Sequence, residues 1–427
     1  MGMRGVDAPW FASMRHCADG QVPGMLRLAL RNVVRHRLRT ALTLAAIVSG
    51  VVGLVLSGGF VEDSLVQLRE ATIHSQLGHL QIHRAASRHD GLHGQRKLMI
   101  DDPQNMMTRA KGFRQVDDVM ARVNFEAVLN NGRADIPVQG VGMESAKEAK
   151  LGSSVTIIAG RQLSGGNAYE ILLGEGVATA SKLKPGDRGT LLTNSSHGAL
   201  NNLDFEVVGI FRSFSKDYDA RVVRIPLAAA QELLDVRAVN AIVISLKTTE
   251  ATNEVAALLK GELDSSVYEI RTWEQLADFY DKTAALYRRQ FAVLQVIILI
   301  AVLLSVANSV NMNIFERTGE FGTLMALGNK GRMIFQLVIS ENLLLGLIGS
   351  GGGVLLGILL AWGISAIGIP MPPPPNSNAG YTAFVRVVPW VVLSSFLVGL
   401  AGTLVAAIPP ARRAARLPVV DALRHNQ

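Results

Sequence analysis

The sequence of 427 residues is poor in cysteine, aromatics and charge, and each shortage excludes something. A single cysteine, Cys17, rules out a disulfide within the chain and any cysteine-rich metal site. An exported domain must therefore fold on its core alone. Charged residues make up 18% of the chain, below the roughly 25% usual for soluble domains. No GxxxxGK[ST] loop occurs, so this sequence holds no P-loop for ATP. HExxH, GxSxG and a paired-carboxylate arrangement are also missing. Residues 1–24 lack an apolar core and contain Asp7 and Asp19, so they do not read as a signal peptide. A disordered N-terminal extension is expected there.

What the chain has is hydrophobicity concentrated in long runs. Hydrophobic residues are 49% of the total. A helix needs about 20 apolar residues to cross a bilayer. Thr40 to Phe60, Phe291 to Phe315 and Val387 to Ala411 are uncharged and long enough. The uncharged stretch from Asn342 to Val385 is too long for one span, and Pro372-Pro373-Pro374-Pro375 interrupts it. Proline lacks an N–H and clashes with the preceding turn. The reading is four spans: 25–61 with an amphipathic lead-in, 289–315, 333–369 and 387–411. Cytoplasmic segments follow at 316–332 and 412–427, and a turn at 370–386.

The net charge of +7 could suggest nucleic acid. The arginines instead flank the apolar runs, at Arg27, Arg31, Arg35, Arg37 and Arg39, and again at Arg412, Arg413, Arg416 and Arg424. Glu62 and Asp63 follow the first run. The positive-inside rule then places both termini in the cytoplasm and the segment from Glu62 to Arg288 outside. Arg288 and Arg289 sit on the wrong side, which long translocated domains tolerate. Leu26, Leu30 and Leu38 share a face opposite the arginines. The stretch Met25 to Thr40 thus suits a surface helix or a plain basic anchor.

The segment 62–288 reads as a mixed α+β extracytoplasmic domain. His79 to His83 alternates with period two, and Phe205 to Phe211 and Ala241 to Leu246 are rich in β-branched residues. Lys184 to Asp187 reads as a turn, and helices are expected from Pro226 to Leu233 and from Thr252 to Leu263. Thr272 with Gln275 forms a candidate capping box. No proline or glycine interrupts Thr272 to Phe315. One helix of about 65 Å, a rigid stalk, is expected there.

Candidate functional residues are few. Five of the nine histidines lie between His74 and His93. His79 and His83 share a strand face with Gln81 and are candidate ligands, against the commoner solvated strand face; no metal is expected. Glu341 lies inside the third span and is a functional candidate; its expected place is the hydrated cytoplasmic interface. Ser49, Gly53 and Ser57, and Gly349, Gly353 and Gly357, recur every four residues and mark close helix packing. Between spans two and three, Glu316 to Gly328 reads as a short amphipathic helix. Phe321, Leu324 and Leu327 form its apolar face, which lipid or a partner must cover.

That link, with Glu316-Arg317, Glu320, Gly322-Thr323-Leu324 and Ala326-Leu327-Gly328, resembles the ERTREIGTLRALG segment of MacB/FtsX-type ABC transporter permeases. So does the tail from Pro410 to Arg424, and the likeness extends over nearly the whole chain. The segment Gly78 to His83, with Phe211 to Asp219, looks most like the lipoprotein-releasing (LolC/LolE-like) branch. Departures fall at Gly319, Phe321 and Met325. The resemblance implies mechanotransmission. A separate ABC ATPase subunit binds ATP and Mg, so this chain needs no cofactor and is no enzyme. The ATPase-coupling residues implied are Glu316, Arg317, Glu320, Phe321, Gly322, Leu324, Leu327 and Gly328. A second permease chain, identical or paralogous, completes the assembly in the inner membrane. A periplasmic adaptor or acceptor protein takes over a lipidated or amphipathic cargo. Alternatives are a non-transport transducer that regulates a cell-wall hydrolase, a macrolide or peptide exporter, and a membrane-anchored enzyme, the weakest for want of a catalytic constellation.

Overall fold

The computed structural model describes residues 37–85, 98–151, 155–165, 169–373, 378 and 380–416. The expected extension at 1–24, most of the basic stretch at 25–40, His89, His93 and the tail from residue 417 lie outside the described residues. The chain divides into two compact units. One, the membrane unit, comprises Met1–Ser64, Leu286–Ile369 and Ala383–Gln427. The other, the sheet unit, comprises Leu65–Ala285 with Pro370–Thr382.

Four helices are long and apolar enough to cross a membrane. Span one is Arg37–Thr72, span two Asp278–Glu316, span three Gly331–Ile367 and span four Pro389–Ala414. In lipid a helix satisfies its own backbone polar groups, which is why uncharged runs of this length fold so. Span one runs on to Thr72, beyond the apolar run. Span two does not form the uninterrupted helix expected from Thr272. A four-residue helix, Trp273–Leu276, ends at Ala277, whose backbone (φ −100°, ψ 55°) is not helical. Buried Trp273 and Ala277 pack with Ile73, and this tertiary contact sets the break. The helix that continues has 39 residues, about 58 Å at 1.5 Å per residue.

Within the membrane unit the helices meet through small residues. Gly349, Gly353 and Gly357 of span three face Ile47, Val51 and Val55 of span one, in step. A Cβ on Gly353 would lie 2.7 Å from the Val51 Cβ and 3.1 Å from the Val48 carbonyl oxygen. Gly399 of span four meets Val51 and Ser350. The stripe in span one is a different matter. Ser49 is exposed and its hydroxyl donates to the Ala46 carbonyl. Gly53 has only an ordinary contact with Ile298. Ser57 donates to the Gly53 carbonyl. The tight glycines of span one are Gly50, against Val302, Gly58, against Val391 and Phe291, and Gly59, against Val385 and the Arg386 carbonyl. Four-residue spacing alone does not say which face of a helix meets a neighbour.

Among its described residues the sheet unit builds a ten-stranded mixed sheet, in the order β10-β1-β9-β2-β3-β8-β5-β7-β4, with β6 joining β2 to β7. The strands are β1 Leu80–Arg84, β2 Val116–Asn130, β3 Asp135–Met143, β4 Thr156–Gly160, β5 Glu170–Gly174, β6 Arg188–Asn194, β7 Leu200–Arg212, β8 Val222–Pro226, β9 Ala241–Leu246 and β10 Tyr268–Thr272. Pairs β3–β8 and β5–β7 are parallel; the other pairs are antiparallel. β9 is buried at every position, as a strand covered on both faces is. Helices Leu227–Leu234 and Thr252–Glu262 supply Leu233, Val255 and Leu259 to the core.

The connection between spans three and four is more than a turn. Residues Pro370–Thr382 belong to the sheet unit, where β11 Ile369–Met371 and β12 Tyr381–Ala383 pair. Asn378 donates its amide to the buried Asp219 carboxylate and its backbone N–H to the Phe214 carbonyl at 3.2 Å. The Gln67 side chain donates to the Thr382 carbonyl at 2.9 Å. A proline run explains the break in hydrophobicity; only the fold shows where the loop is held.

Candidate functional site: the connecting helix and its anchor

The helix between spans two and three is Thr318–Ala326. Glu316 still belongs to span two, and Arg317 is the residue at which one helix ends and the next begins. The helix closes on a Schellman pattern. Asn329 N–H bonds the Leu324 carbonyl at 3.2 Å and Gly328 N–H bonds the Met325 carbonyl at 3.0 Å. Gly328 has φ +91°, a conformation glycine adopts without strain.

The expected apolar face is divided between inside and outside. Phe321 is 1% exposed and belongs to the membrane-unit core with Val310, Ile314, Ile334, Leu337 and Val338. Gly319 and Gly322 are buried too. Leu324 is half-buried against the same core. Leu327 is 65% exposed. The chain itself therefore covers most of the face that Phe321, Leu324 and Leu327 were expected to offer a partner. The outward stripe is Glu316, Glu320, Thr323 and Leu327, all exposed and spaced three or four residues apart.

Arg317 anchors this helix. Its side chain is 8% exposed. Nη1 donates to both carboxylate oxygens of Glu341, each at 2.9 Å. Nε donates to Glu320 Oε2 at 3.1 Å. The guanidinium lies 5.0 Å from the centroid of the Phe321 ring, within cation–π range. The Glu341 side chain is 5% exposed, so it is not the hydrated interfacial carboxylate the sequence suggested. An arginine 24 positions earlier is its counter-ion. No local pattern announces that pairing. The only available signals were a carboxylate inside a span and an arginine in the family motif.

His79 and His83 are both hydrogen-bonded into the sheet. His79 precedes β1 and is 1% exposed. Its Nδ1 accepts from the Leu246 N–H at 3.1 Å. That leaves Nε2 to donate to Thr249 Oγ1 at 3.2 Å, and Thr249 donates to Glu70 at 3.0 Å. Burial, aided by neighbouring His74, pushes the His79 pKa down to about 4. His83 is half-buried, between the Asn240 carbonyl at 3.0 Å and the Gln81 side chain at 2.9 Å. Burial lowers its pKa also. The solvated strand face expected for these residues is thus corrected: β1 is an inner strand between β10 and β9. Among the described residues no group of three or more His, Cys, Asp or Glu side chains could hold a metal ion.

Other buried charges among the described residues of the sheet unit are held by a counter-ion or by neutral hydrogen-bond partners and rings. Arg122 forks onto Glu148, and Glu170 receives Arg161 at 2.8 Å and the Ser164 N–H at 2.6 Å. Arg224 lies 4.6 Å over Phe211 and donates to the Ser75 carbonyl at 2.9 Å. These arrangements hold strands and helices together and offer no nucleophile or acid–base pair.

Comparison with known proteins places this architecture. A family model described as the MacB-like periplasmic core domain matches residues 40–262, and one described as the FtsX-like permease C-terminal matches residues 292–419. An uncharacterized ABC transporter permease of Methanocaldococcus jannaschii is 24% identical over 95% of this chain and 98% of its own length. The lipoprotein-releasing system transmembrane protein LolE of Haemophilus influenzae is 25% identical, over 75% of this chain and 80% of its own. The macrolide export ATP-binding/permease protein MacB of Sodalis glossinidius is 25% identical over 93% of this chain, which spans 60% of that protein's length. The crystal structure of the periplasmic region of MacB from Actinobacillus actinomycetemcomitans covers 49% of this chain at 14% identity, with a TM-score of 0.34. With both family models matched in chain order around four apolar helices, the chain belongs to the MacB/FtsX-type family of ABC transporter permeases.

Proposed function

We propose that this chain is the membrane subunit of an ABC transporter that works by mechanotransmission. A separate ATPase subunit docks on the outward stripe of the helix Thr318–Ala326, and its ATP-driven motion is passed to the sheet unit, which moves cargo outside the inner membrane. The observation that carries the reading is the division of that helix. One side is built into the membrane-unit core through Phe321, and the other leaves Glu320, Thr323 and Leu327 exposed. A helix so mounted suits the passing of force from a partner to the spans. The sequence holds no P-loop, so the ATP and Mg would sit in the partner.

Docking would bury Leu327. Full burial of a leucine is worth about 1.5–3 kcal/mol, and about 1.4 kcal/mol is one decade in affinity. Leu327→Asp, which also forces a charge into the interface, is expected to weaken ATPase binding about tenfold or more. Pull-down of the ATPase with the full-length permease reads this. Normal recovery of the ATPase with that variant would remove the stripe as the docking face.

Orientation follows the arginine distribution, with both termini in the cytoplasm. On a Cys17→Ser background, an impermeant thiol reagent added to intact cells should label Ser195→Cys and spare Asn329→Cys. The reverse labelling would invert the topology and put the stripe on the wrong side for an ATPase.

For cargo, the lipidated or amphipathic class has the support of the LolE relative. The exporter alternative has the support of MacB relatives that match a larger share of the chain. Reconstituted vesicles holding a lipoprotein, assayed for its ATP-dependent release to a soluble acceptor, separate the two from macrolide efflux measured in cells.

A further inference from the structure

Buried charge is costly unless it is paired, and even a paired buried bridge rarely stabilises a fold more than well-packed apolar side chains would. The Arg317–Glu341 pair is therefore weak evidence for stability and leaves room for another role. Its connections suggest one. Arg317 sits between the end of span two and the start of the connecting helix. Its guanidinium is held by Glu341 of span three, by Glu320 of the connecting helix and by the ring of Phe321. Glu320 is also on the outward stripe, with its side chain 49% exposed. One side chain thus ties the proposed docking stripe to span three. The covalent chain links that helix to span two through Arg317 itself and to span three only through the turn from Leu327 to Lys330.

We propose that Arg317 is a positioning residue for energy coupling: through Glu341 it makes span three move with the connecting helix when the partner ATPase closes. The inference rests on the ATPase-docking reading above. The planar fork of arginine suits this role, because it fixes the direction of its donors toward a carboxylate. Phe321 and the half-buried Leu324 hold the helix against the core whether or not the charges are present. Removing both charges should therefore spare assembly and remove transmission.

The experiment uses the full permease with its ATPase in nanodiscs, on a Cys17→Ser background. Spin labels are placed at Asn194→Cys in the sheet unit and Trp362→Cys in span three, both exposed positions. The distance between them is measured without nucleotide and with ATP trapped by vanadate. The unaltered pair should show a nucleotide-dependent change. The apolar pair Arg317→Met with Glu341→Leu should copurify with the ATPase, melt at no lower temperature, and lose that change. The single variant Glu341→Gln, which leaves the buried Arg317 cation only the half-exposed Glu320 as counter-ion, should instead lower the melting temperature. If the apolar pair does not assemble, Arg317→Gln with Glu341→Gln takes its place, with the same loss expected. A nucleotide-dependent change that survives in the uncharged pair overturns the proposal. Should the unaltered pair bind the ATPase and show no change at all, the docking reading stands and the transmission proposal fails. If the unaltered pair does not bind the ATPase, the docking reading itself fails and takes the proposal with it.

Discussion

The two units of this chain bury apolar surface by opposite means. The sheet unit fills its interior with large side chains: Leu173, Val223, Ile242 and Phe205 are all essentially inaccessible. Water drives that burial. The membrane unit brings backbones together over glycine, with Gly349, Gly353 and Gly357 set against a row of β-branched residues. Lipid is as apolar as leucine, so helices gain little there from hiding hydrocarbon. Close contact supplies the attraction instead. Size matters in both units, but at these two sets of positions the harmful direction of change is reversed.

The sharpest way to break this contrast is to enlarge a membrane glycine. Gly353→Leu would drive a side chain into Val51 and the Val48 carbonyl, which leaves the backbone no room. Loss of folded, monodisperse protein in detergent is expected by size-exclusion chromatography. Ser49→Leu, on an exposed face, should change the melting temperature little; surface changes usually stay within about 0.5 kcal/mol. Equal damage from the two would mean that the spacing, and not the contact, matters.

In the sheet unit the damaging change is shrinkage. Leu173→Ala, at a fully buried site on β5, should cost about 2–5 kcal/mol. Limited proteolysis of the full chain in urea would read it, as earlier cleavage within 65–285. A loss under about 1 kcal/mol would mean that this core collapses around the hole.

The next expected effect is one of pH. His79 is held neutral, with a folded pKa near 4 against 6.5 for the free side chain. As pH falls from 6.5 toward 4 the unfolded chain takes up a proton that the fold refuses, so stability drops across that window and levels off below it. Each pKa unit is about 1.4 kcal/mol, so the whole drop amounts to a few kcal/mol at most. His79→Gln should flatten the urea midpoint between pH 6.5 and 4 relative to the unaltered protein. A slope unchanged by the substitution would assign it to other groups.

Much of the fold was legible because it depends on local pattern. The β-branched run Ala241 to Leu246 coincides with β9, and Phe205 to Phe211 lies within β7. The helix expected from Thr252 to Leu263 is found over Thr252–Glu262. Four uncharged stretches became four long helices. The candidate site was legible only as a motif. Its amphipathic pattern was real, but a helix has two long edges and periodicity does not say which is inward. Phe321 went inward and Leu327 outward because the ends of spans two and three cover one edge.

By itself, then, the amino-acid sequence determined where the chain is long and apolar enough to enter lipid and where it forms a sheet, since both follow from the density and period of apolar side chains. It also determined the place of the connecting helix, bracketed by span two and Gly328. The tertiary structure alone decided the partners. Arg317 and Glu341 are 24 positions apart and meet because two helices are packed side by side. Asn378 reaches Asp219 across 159 positions for the same kind of reason. Ser49 and Gly353 stand in equally regular stripes, yet one faces outward and the other touches Val51. Long-range pairing depends on which surfaces come together, and spacing along one helix carries no record of the other.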